Sequence, residues 1–79
     1  MMRNEVKKRV IEIASKVFEI PKYEIDENTT YGSIESWDSL NHLNLFLEIE
    51  ESLGVRFSAE EISKLTSIKK IIDKILERV

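Results

Sequence analysis

The sequence predicts an all-α protein: a small four-helix bundle of three longer helices and one short helix, with a long loop between helices 1 and 2. Three segments carry apolar residues every three or four positions, which is the spacing of a helix buried along one side. No segment alternates apolar and polar residues as a half-buried strand does. With 79 residues and no cysteine, the chain is expected to form a single domain over residues 1–79, with a compact core and no disulfide bonds.

The first helix is predicted over residues 3–19. Its apolar positions at helical spacing are Val6, Val10, Ile13 and Val17, and the stripe is widened by Ile11, Ala14 and Phe18. Pro21 ends it, since proline has no backbone N–H to donate inside a helix. Residues 20–37 form a loop that is long for a compact domain, so we expect its own side chains to anchor it. The expected anchors are apolar or aromatic: Ile20, Tyr23, Ile25, Tyr31, Ile34 and Trp37.

Three further helices are predicted in the second half of the chain. The second helix covers residues 39–53, and Gly54 favours the left-handed conformation that ends a helix. Ser58-Ala59-Glu60-Glu61 has the pattern of a capping box, which starts a short third helix that ends near Leu65. Thr66 is predicted to cap the fourth helix. The apolar face of that helix is expected to contain Ile68, Ile71, Ile72, Ile75, Leu76 and Val79.

The charged residues are segregated along the chain. The net charge is −3, but residues 22–62 contain ten acidic and two basic residues, whereas the flanks contain five acidic and ten basic residues. An acidic centre repels phosphate and favours basic patches on protein partners. A nucleic-acid-binding helical domain could use only the basic flanks, where acids are interspersed, and it would bind with a steep salt dependence. We therefore expect protein partners and no nucleic acid.

The second helix has two apolar stripes. At about 100° per residue, Leu45, Phe46, Ile49 and Leu53 fall on one arc, which is predicted to face the core. Three leucines fall on a different arc bordered by polar and acidic residues, and this arc resembles a docking surface. The predicted partner-binding residues are Leu40, Leu43, Asn44, Leu47, Glu50 and Glu51. Each leucine alone is equally compatible with a place in the core.

Residues 34–43, Ile-Glu-Ser-Trp-Asp-Ser-Leu-Asn-His-Leu, start this second helix. Asp38 is a natural N-cap, since its carboxylate accepts N–H groups of the first turn. The Ser39 hydroxyl is then exposed beside a helix N-terminus, which favours a phosphate. With the Glu50-Glu51 pair and the segment Gly54-Val55-Arg56-Phe57, this motif resembles the phosphopantetheine attachment site of acyl and peptidyl carrier proteins. The resemblance spans almost the whole chain and favours a stand-alone carrier.

The resemblance implies a function for each residue of the Asp-Ser-Leu triplet. A phosphopantetheinyl transferase would attach 4′-phosphopantetheine to Ser39, while Asp38 would cap the helix and help to position the metal ion of the transferase. Leu40 would contact the transferase and later partners. The arm would carry acyl or aminoacyl groups as thioesters between a loading ligase and downstream transferase or synthase enzymes. The protein itself would deliver cargo rather than catalyse a reaction.

The residues also argue against an enzyme. A serine nucleophile needs an adjacent base held by a third group, and the single histidine, His42, has no evident orienting partner. His42 also falls on the core side of the second helix, so we expect it to be packed. A chain this short has no room for a substrate pocket of several hundred cubic ångströms. No spacing of metal ligands is present, so no metal is expected.

Two alternative functions remain open. A helical adaptor of carrier fold would bind a protein through its second helix, whether or not Ser39 is modified. A housekeeping carrier of fatty acid synthesis usually has acids where this chain has Asn41 and Asn44, which favours a specialised biosynthetic pathway instead.

The start of the chain has no apolar signal region, and no apolar run reaches the ~18 residues of a membrane span. We therefore expect a cytoplasmic protein that is monomeric.

Overall fold

The computed structural model describes residues 2–79 and confirms the all-α bundle. Its four helices are α1 (Arg3–Phe18), α2 (Ser39–Leu53), α3 (Ala59–Lys64) and α4 (Ile68–Leu76). Within residues 2–79 the only β-type pairing is an isolated antiparallel bridge between Thr30 and Ser67. No helix in this part of the chain is both long enough and apolar enough to cross a bilayer.

The core forms where α1 packs against α2 and α4. The apolar stripes predicted for these helices supply it, and each of their central side chains is at most 2% exposed. These side chains are Val6, Val10, Ala14, Phe18, Leu45, Phe46, Ile49, Ile68, Ile71, Ile72 and Ile75. The assignment of Val79 to the apolar face is wrong: α4 ends at Leu76, and Val79 is half exposed beyond it. Burial of one such side chain contributes about 1.5–3 kcal/mol.

Local sequence signals set most of the helix ends. Ser58 Oγ accepts from the backbone N–H of Glu61, whose own carboxylate accepts from the backbone N–H of Ser58, so the capping box is confirmed. Gly54 has a φ of +69° and ends α2, as predicted. The prediction that Thr66 caps α4 is wrong, because Ser67 occupies the N-cap and accepts from a backbone N–H in the first turn of α4 at 3.1 Å. The carbonyl of Thr66 instead binds the long loop.

The long loop is fastened to the start of α4 by backbone hydrogen bonds. The N–H of Tyr31 donates to Thr66 O at 2.8 Å, and the N–H of Ile68 donates to Thr29 O at 3.0 Å. Among the predicted anchors, Ile25 and Trp37 are buried, and Ile20 and Ile34 are half buried against the core. Tyr23 is 88% exposed in a single 3₁₀ turn, so its prediction as an anchor is wrong. Tyr31 is 42% exposed, although the edge of its ring contacts two core side chains.

Glu19 ends α1 in a strained backbone conformation. Its φ and ψ are +57° and +44°, the left-handed region that favours glycine. We expect Glu19→Gly to raise the free energy of unfolding by up to about 1 kcal/mol, since relief of the strain exceeds the entropy added to the unfolded chain. Chemical denaturation measures this. Glu19→Ala, which keeps the Cβ atom and removes the carboxylate, should give no gain; equal gains in both variants would contradict the strain argument.

Helix α3 is held by polar contacts as well as by the packing of Ile62 against the core. None of its six residues, all within the described chain, is fully buried. The Arg78 side chain donates to the Glu61 carboxylate and, together with the backbone N–H of Ser58, lowers the pKa of Glu61 from 4.5 to about 2. Because the pKa is lowered in the folded state, this contribution to stability is present above about pH 4.5 and is lost as the pH falls towards 2.

This pH dependence predicts a difference between the natural chain and Glu61→Gln. Glutamine keeps the capping box but has no charge to lose. The unfolding free energy of the natural chain should therefore exceed that of the variant at pH 7, and the difference should shrink between pH 4.5 and 2. Denaturant titrations at three pH values measure the difference. Parallel pH profiles for the two proteins would contradict this account of α3.

Candidate functional site

Ser39 is the first residue of α2 and is exposed. Asp38 precedes it in extended conformation and caps the helix, as predicted: Asp38 Oδ1 accepts from the backbone N–H of Asn41 at 2.9 Å. The carbonyl of Asp38 accepts from the backbone N–H of His42 at 2.8 Å. Within residues 2–79 the Ser39 hydroxyl makes no hydrogen bond. The cap thus fixes the backbone on both sides of a hydroxyl that stays free.

Trp37 fixes the chain immediately before the cap. Its ring is 1% exposed and stacks on Phe18 with ring centroids 5.0 Å apart. Trp37 Nε1 donates to His42 Nδ1 at 2.9 Å, and His42 Nε2 lies 2.7 Å from the carbonyl oxygen of Ile62. Since the indole N–H only donates and the carbonyl only accepts, this network assigns the His42 proton to Nε2. These two hydrogen bonds therefore connect the loop to α2 and α2 to α3.

His42 is packed in the core, as predicted, and is 8% exposed. Both of its ring nitrogens are engaged with Trp37 and Ile62, so neither is free to take a proton from Ser39. Ser39 and His42 lie about one turn apart on α2, but no hydrogen bond joins their side chains. No group of three or more acidic or histidine side chains within the described residues forms a candidate metal site. Ser39 therefore lacks the adjacent free base that a catalytic serine needs.

Two asparagines tie the loop to the first turns of α2. Asn41 Nδ2 donates to the carbonyl oxygen of Ser36 at 2.9 Å, and Asn44 Nδ2 donates to Asn41 Oδ1 at 3.1 Å. The two side chains are neutral and half buried. The sequence identifies them only as neutral positions, because the hydrogen bonds depend on where the loop lies. Their arrangement leaves the serine end of α2 without a carboxylate from either position.

Ser39 lines one of two depressions in the surface near the start of α2. One has a volume of about 230 Å³ and lies between the start of α2, the loop and the region around α3. It is lined by Tyr31, Ser39, His42, Ser63 and Thr66. The other, of about 510 Å³, lies next to the cap, and its lining includes Glu19, Glu35 and Asp38. The expectation that so short a chain has no room for a depression of several hundred cubic ångströms is therefore wrong. Sequence reasoning missed Ser63 and Thr66 as neighbours of Ser39, and no sequence signal identifies them, since α3 is separated from Ser39 by the rest of α2.

The two stripes of α2 separate in the structure as predicted. Leu45, Phe46 and Ile49 are buried, and Leu53 is partly buried against the core. The leucines of the other stripe lie at the surface: Leu40 is 66%, Leu43 47% and Leu47 53% exposed. These three residues are called the leucine strip below. Their exposure leaves about half of each side chain available for a partner.

The polar residues around the leucine strip differ in whether their side chains are hydrogen-bonded to other parts of the protein. Glu51 is exposed, and Asn44 is held by Asn41. Glu50 is half buried, and its Oε2 accepts from the backbone N–H of Phe57 at 2.9 Å. Glu50 therefore holds the connection between α2 and α3, whatever contact it also makes with a partner. A charge reversal at Glu50 would disturb this connection, so it is not a clean probe of docking.

Comparisons with known proteins match most of the chain to one protein family. The family model described as "Phosphopantetheine attachment site" matches residues 8–75. The chain is 35% identical to an acyl carrier protein of Buchnera aphidicola over 72 residues, 91% of each chain. It is 26% identical to an acyl carrier protein of Rubrobacter xylanophilus over 77 residues, which are 98% of this chain and 95% of the relative. An acyl carrier protein of Chloroherpeton thalassium is also 26% identical, over 99% of this chain and 98% of its own.

Proposed function

The chain belongs to the family of carrier proteins with a phosphopantetheine attachment site, and we propose that Ser39 is the residue to which its 4′-phosphopantetheine is attached. In the bound state the group supplies a terminal thiol, on which acyl or aminoacyl groups are held as thioesters. The observation that carries the proposal is the free, exposed hydroxyl of Ser39 on a backbone held by Asp38. The residues fit the group, since a phosphodiester at Ser39 lies beside the N-terminal N–H groups of a 15-residue helix.

The chain contributes position rather than chemistry to this modification. Trp37 and Asp38 hold the turn into α2, so the transferase meets Ser39 in one defined place. Asp38 caps the helix and would help to position the metal ion of the transferase. Leu40, the most exposed residue of the leucine strip, adjoins Ser39 and contacts the transferase and later partners. The partners are a phosphopantetheinyl transferase, a ligase that loads the cargo, and transferase or synthase enzymes that receive it.

The test is incubation of the protein with coenzyme A, magnesium and a broad-specificity phosphopantetheinyl transferase. We expect the intact mass to increase by one phosphopantetheinyl group, and fragmentation to place that group on Ser39 among the eight serines of the chain. A folded protein that gains no group from several transferases would favour the adaptor of carrier fold. That adaptor would bind its partner equally well with and without a hydroxyl at residue 39.

We further propose that the leucine strip is the docking surface for these partners. Three half-exposed leucines on one side of α2 present an apolar surface, and Glu51 adds a negative charge near its far end. The serine end is neutral at Asn41 and Asn44, whose amides bind each other and the loop. This surface fits an enzyme with an apolar cleft that meets the leucine strip and a basic edge that meets Glu51. The neutral side chains of Asn41 and Asn44 favour a carrier of a specialised biosynthetic pathway over a housekeeping carrier of fatty acid synthesis.

Leu43→Arg is expected to weaken docking without unfolding the protein. Leu43 is central in the leucine strip and 47% exposed, so the core loses little, whereas an apolar cleft would have to accept a charge. We expect kcat/KM for phosphopantetheinylation to fall at least about tenfold, which corresponds to about 1.4 kcal/mol. Tyr23→Arg is the matched control, since it places the same charge on an exposed side chain away from α2. Equal rates for both variants and the natural chain would contradict the docking surface.

A further inference from the structure

The 230 Å³ groove that Ser39 lines is the place where an acyl chain on the arm could enter between α2 and the residues around α3. An acyl chain gains free energy for each methylene group that it buries, so it would enter the bundle there if the groove led inwards. The groove is smaller than the roughly 300–1,000 Å³ of ordinary ligand pockets. The fate of the cargo therefore depends on what forms the inner end of this groove.

His42 is the one buried residue among the five that line the groove, which places it at the inner end. Its ring is held on both sides, by the hydrogen bond from Trp37 Nε1 and by the hydrogen bond from His42 Nε2 to the carbonyl oxygen of Ile62. The second bond joins α2 to α3 directly, at 2.7 Å. Separation of these two helices would break it and leave polar groups of a buried histidine without partners, which is unfavourable. The bridge thus resists the movement that would admit a chain.

Aromatic rings fill the space behind His42. The rings of His42 and Phe46 meet edge to face with centroids 5.1 Å apart, and those of Phe46 and Phe57 meet in the same way at 5.1 Å. Phe46 is fully buried, and Phe57 is 9% exposed. Rings packed edge to face at native density have few alternative positions, so they cannot make way for a chain as flexible aliphatic residues can. A chain that passed His42 would therefore meet a filled interior.

We propose that His42 closes the bundle to the cargo, so that acyl groups remain outside it and the chain serves short acyl or aminoacyl groups. This inference rests on the attachment of phosphopantetheine to Ser39 proposed above. The groove then offers the cargo only its outer part, which carries the side chains of Tyr31, Ser63 and Thr66. Longer saturated chains gain no protection from the bundle, so this carrier does not favour them over short ones. Delivery then needs no step in which cargo leaves the core.

The experiment uses a promiscuous phosphopantetheinyl transferase to attach acetyl-, butyryl-, hexanoyl- and octanoyl-phosphopantetheine from the matching acyl-coenzyme A. Intact mass confirms each product, and thermal unfolding gives its midpoint. For the natural chain we expect the four midpoints to agree within about 2 °C, whereas burial would raise the midpoint by about 4 °C per methylene group. A rise with chain length in the natural protein would overturn the inference.

Two variants test the residue itself. His42→Ala removes the closed end, and its octanoyl form should unfold at least about 4 °C above its acetyl form. Tyr31→Ala widens the mouth of the same groove and leaves the bridge intact, so its four midpoints should stay level. A level series in His42→Ala would refute the assignment to His42. If the variant does not fold, the series for the natural chain still decides.

The result also separates this inference from the proposed function. If the transferase adds no acyl-phosphopantetheine to the folded natural chain, the attachment proposal fails, and this inference fails with it. If the group is added to Ser39 and the midpoints rise with chain length, the attachment proposal stands and only the closure by His42 fails.

Discussion

Ser39→Ala is expected to abolish phosphopantetheinylation completely and to leave the fold unchanged. The variant has no oxygen at residue 39 to attack the pyrophosphate of coenzyme A and displace adenosine 3′,5′-bisphosphate, so the loss is total rather than partial. The structure loses nothing comparable, because Ser39 is exposed and its hydroxyl makes no hydrogen bond within residues 2–79. We expect the free energy of unfolding to change by less than about 0.5 kcal/mol. Intact mass and denaturant unfolding measure the two effects.

Ser63→Ala is the matched control for this experiment. Ser63 lines the same groove as Ser39 and is exposed, but its Oγ donates to the carbonyl oxygen of Glu60 at 2.7 Å. The control should be modified to the same extent as the natural chain. A Ser39→Ala protein that still accepts one group would show that the attachment residue lies elsewhere.

Trp37→Ala is expected to give the largest loss of stability, about 3–5 kcal/mol. The ring is 1% exposed, so its removal leaves a cavity beside Phe18. It also removes the hydrogen bond to His42 Nδ1, which then lies buried without its partner. Small domains are stable by only about 5–15 kcal/mol in total, so this variant should be partly unfolded under mild conditions. Denaturant titration followed by circular dichroism measures the loss.

Trp37→Phe separates the two contributions. Phenylalanine keeps much of the ring in the cavity but cannot donate to His42, so we expect an intermediate loss of about 1–3 kcal/mol. Tyr23→Ala, at a side chain that is 88% exposed, should change the stability little. A loss below about 1 kcal/mol in Trp37→Ala would mean that Trp37 does not hold the loop against the bundle.

Local patterns in the sequence were enough to predict the helices. The apolar period identified the buried faces of α1, α2 and α4, and the caps at Asp38 and Ser58 form between residues three apart. The error at α4 illustrates the limit of such patterns. Thr66 and Ser67 are both good capping residues, and the choice between them follows from the hydrogen bond that fixes the carbonyl of Thr66 to Tyr31 in the distant loop.

The parts of the site that the sequence did not predict depend on contacts between distant residues. His42 could be assigned to the core from its helical position, but its bond to Ile62, twenty residues away, depends on where α3 lies. Glu50 was predicted as part of an acidic rim, and its bond to the backbone of Phe57 depends on the path of the connecting loop. Tyr23 failed as an anchor because backbone hydrogen bonds to the start of α4 hold the loop instead.

The most direct measurement of the central claim is the mass of the intact protein after incubation with acetyl-coenzyme A, magnesium and a phosphopantetheinyl transferase, followed by hydroxylamine. We predict one acetyl-phosphopantetheinyl group on the fragment that contains Ser39, from which hydroxylamine releases the acetyl group and leaves the arm. This result would establish a thioester carrier. An unchanged mass in a folded protein with several transferases, or a group on another residue, would contradict the account.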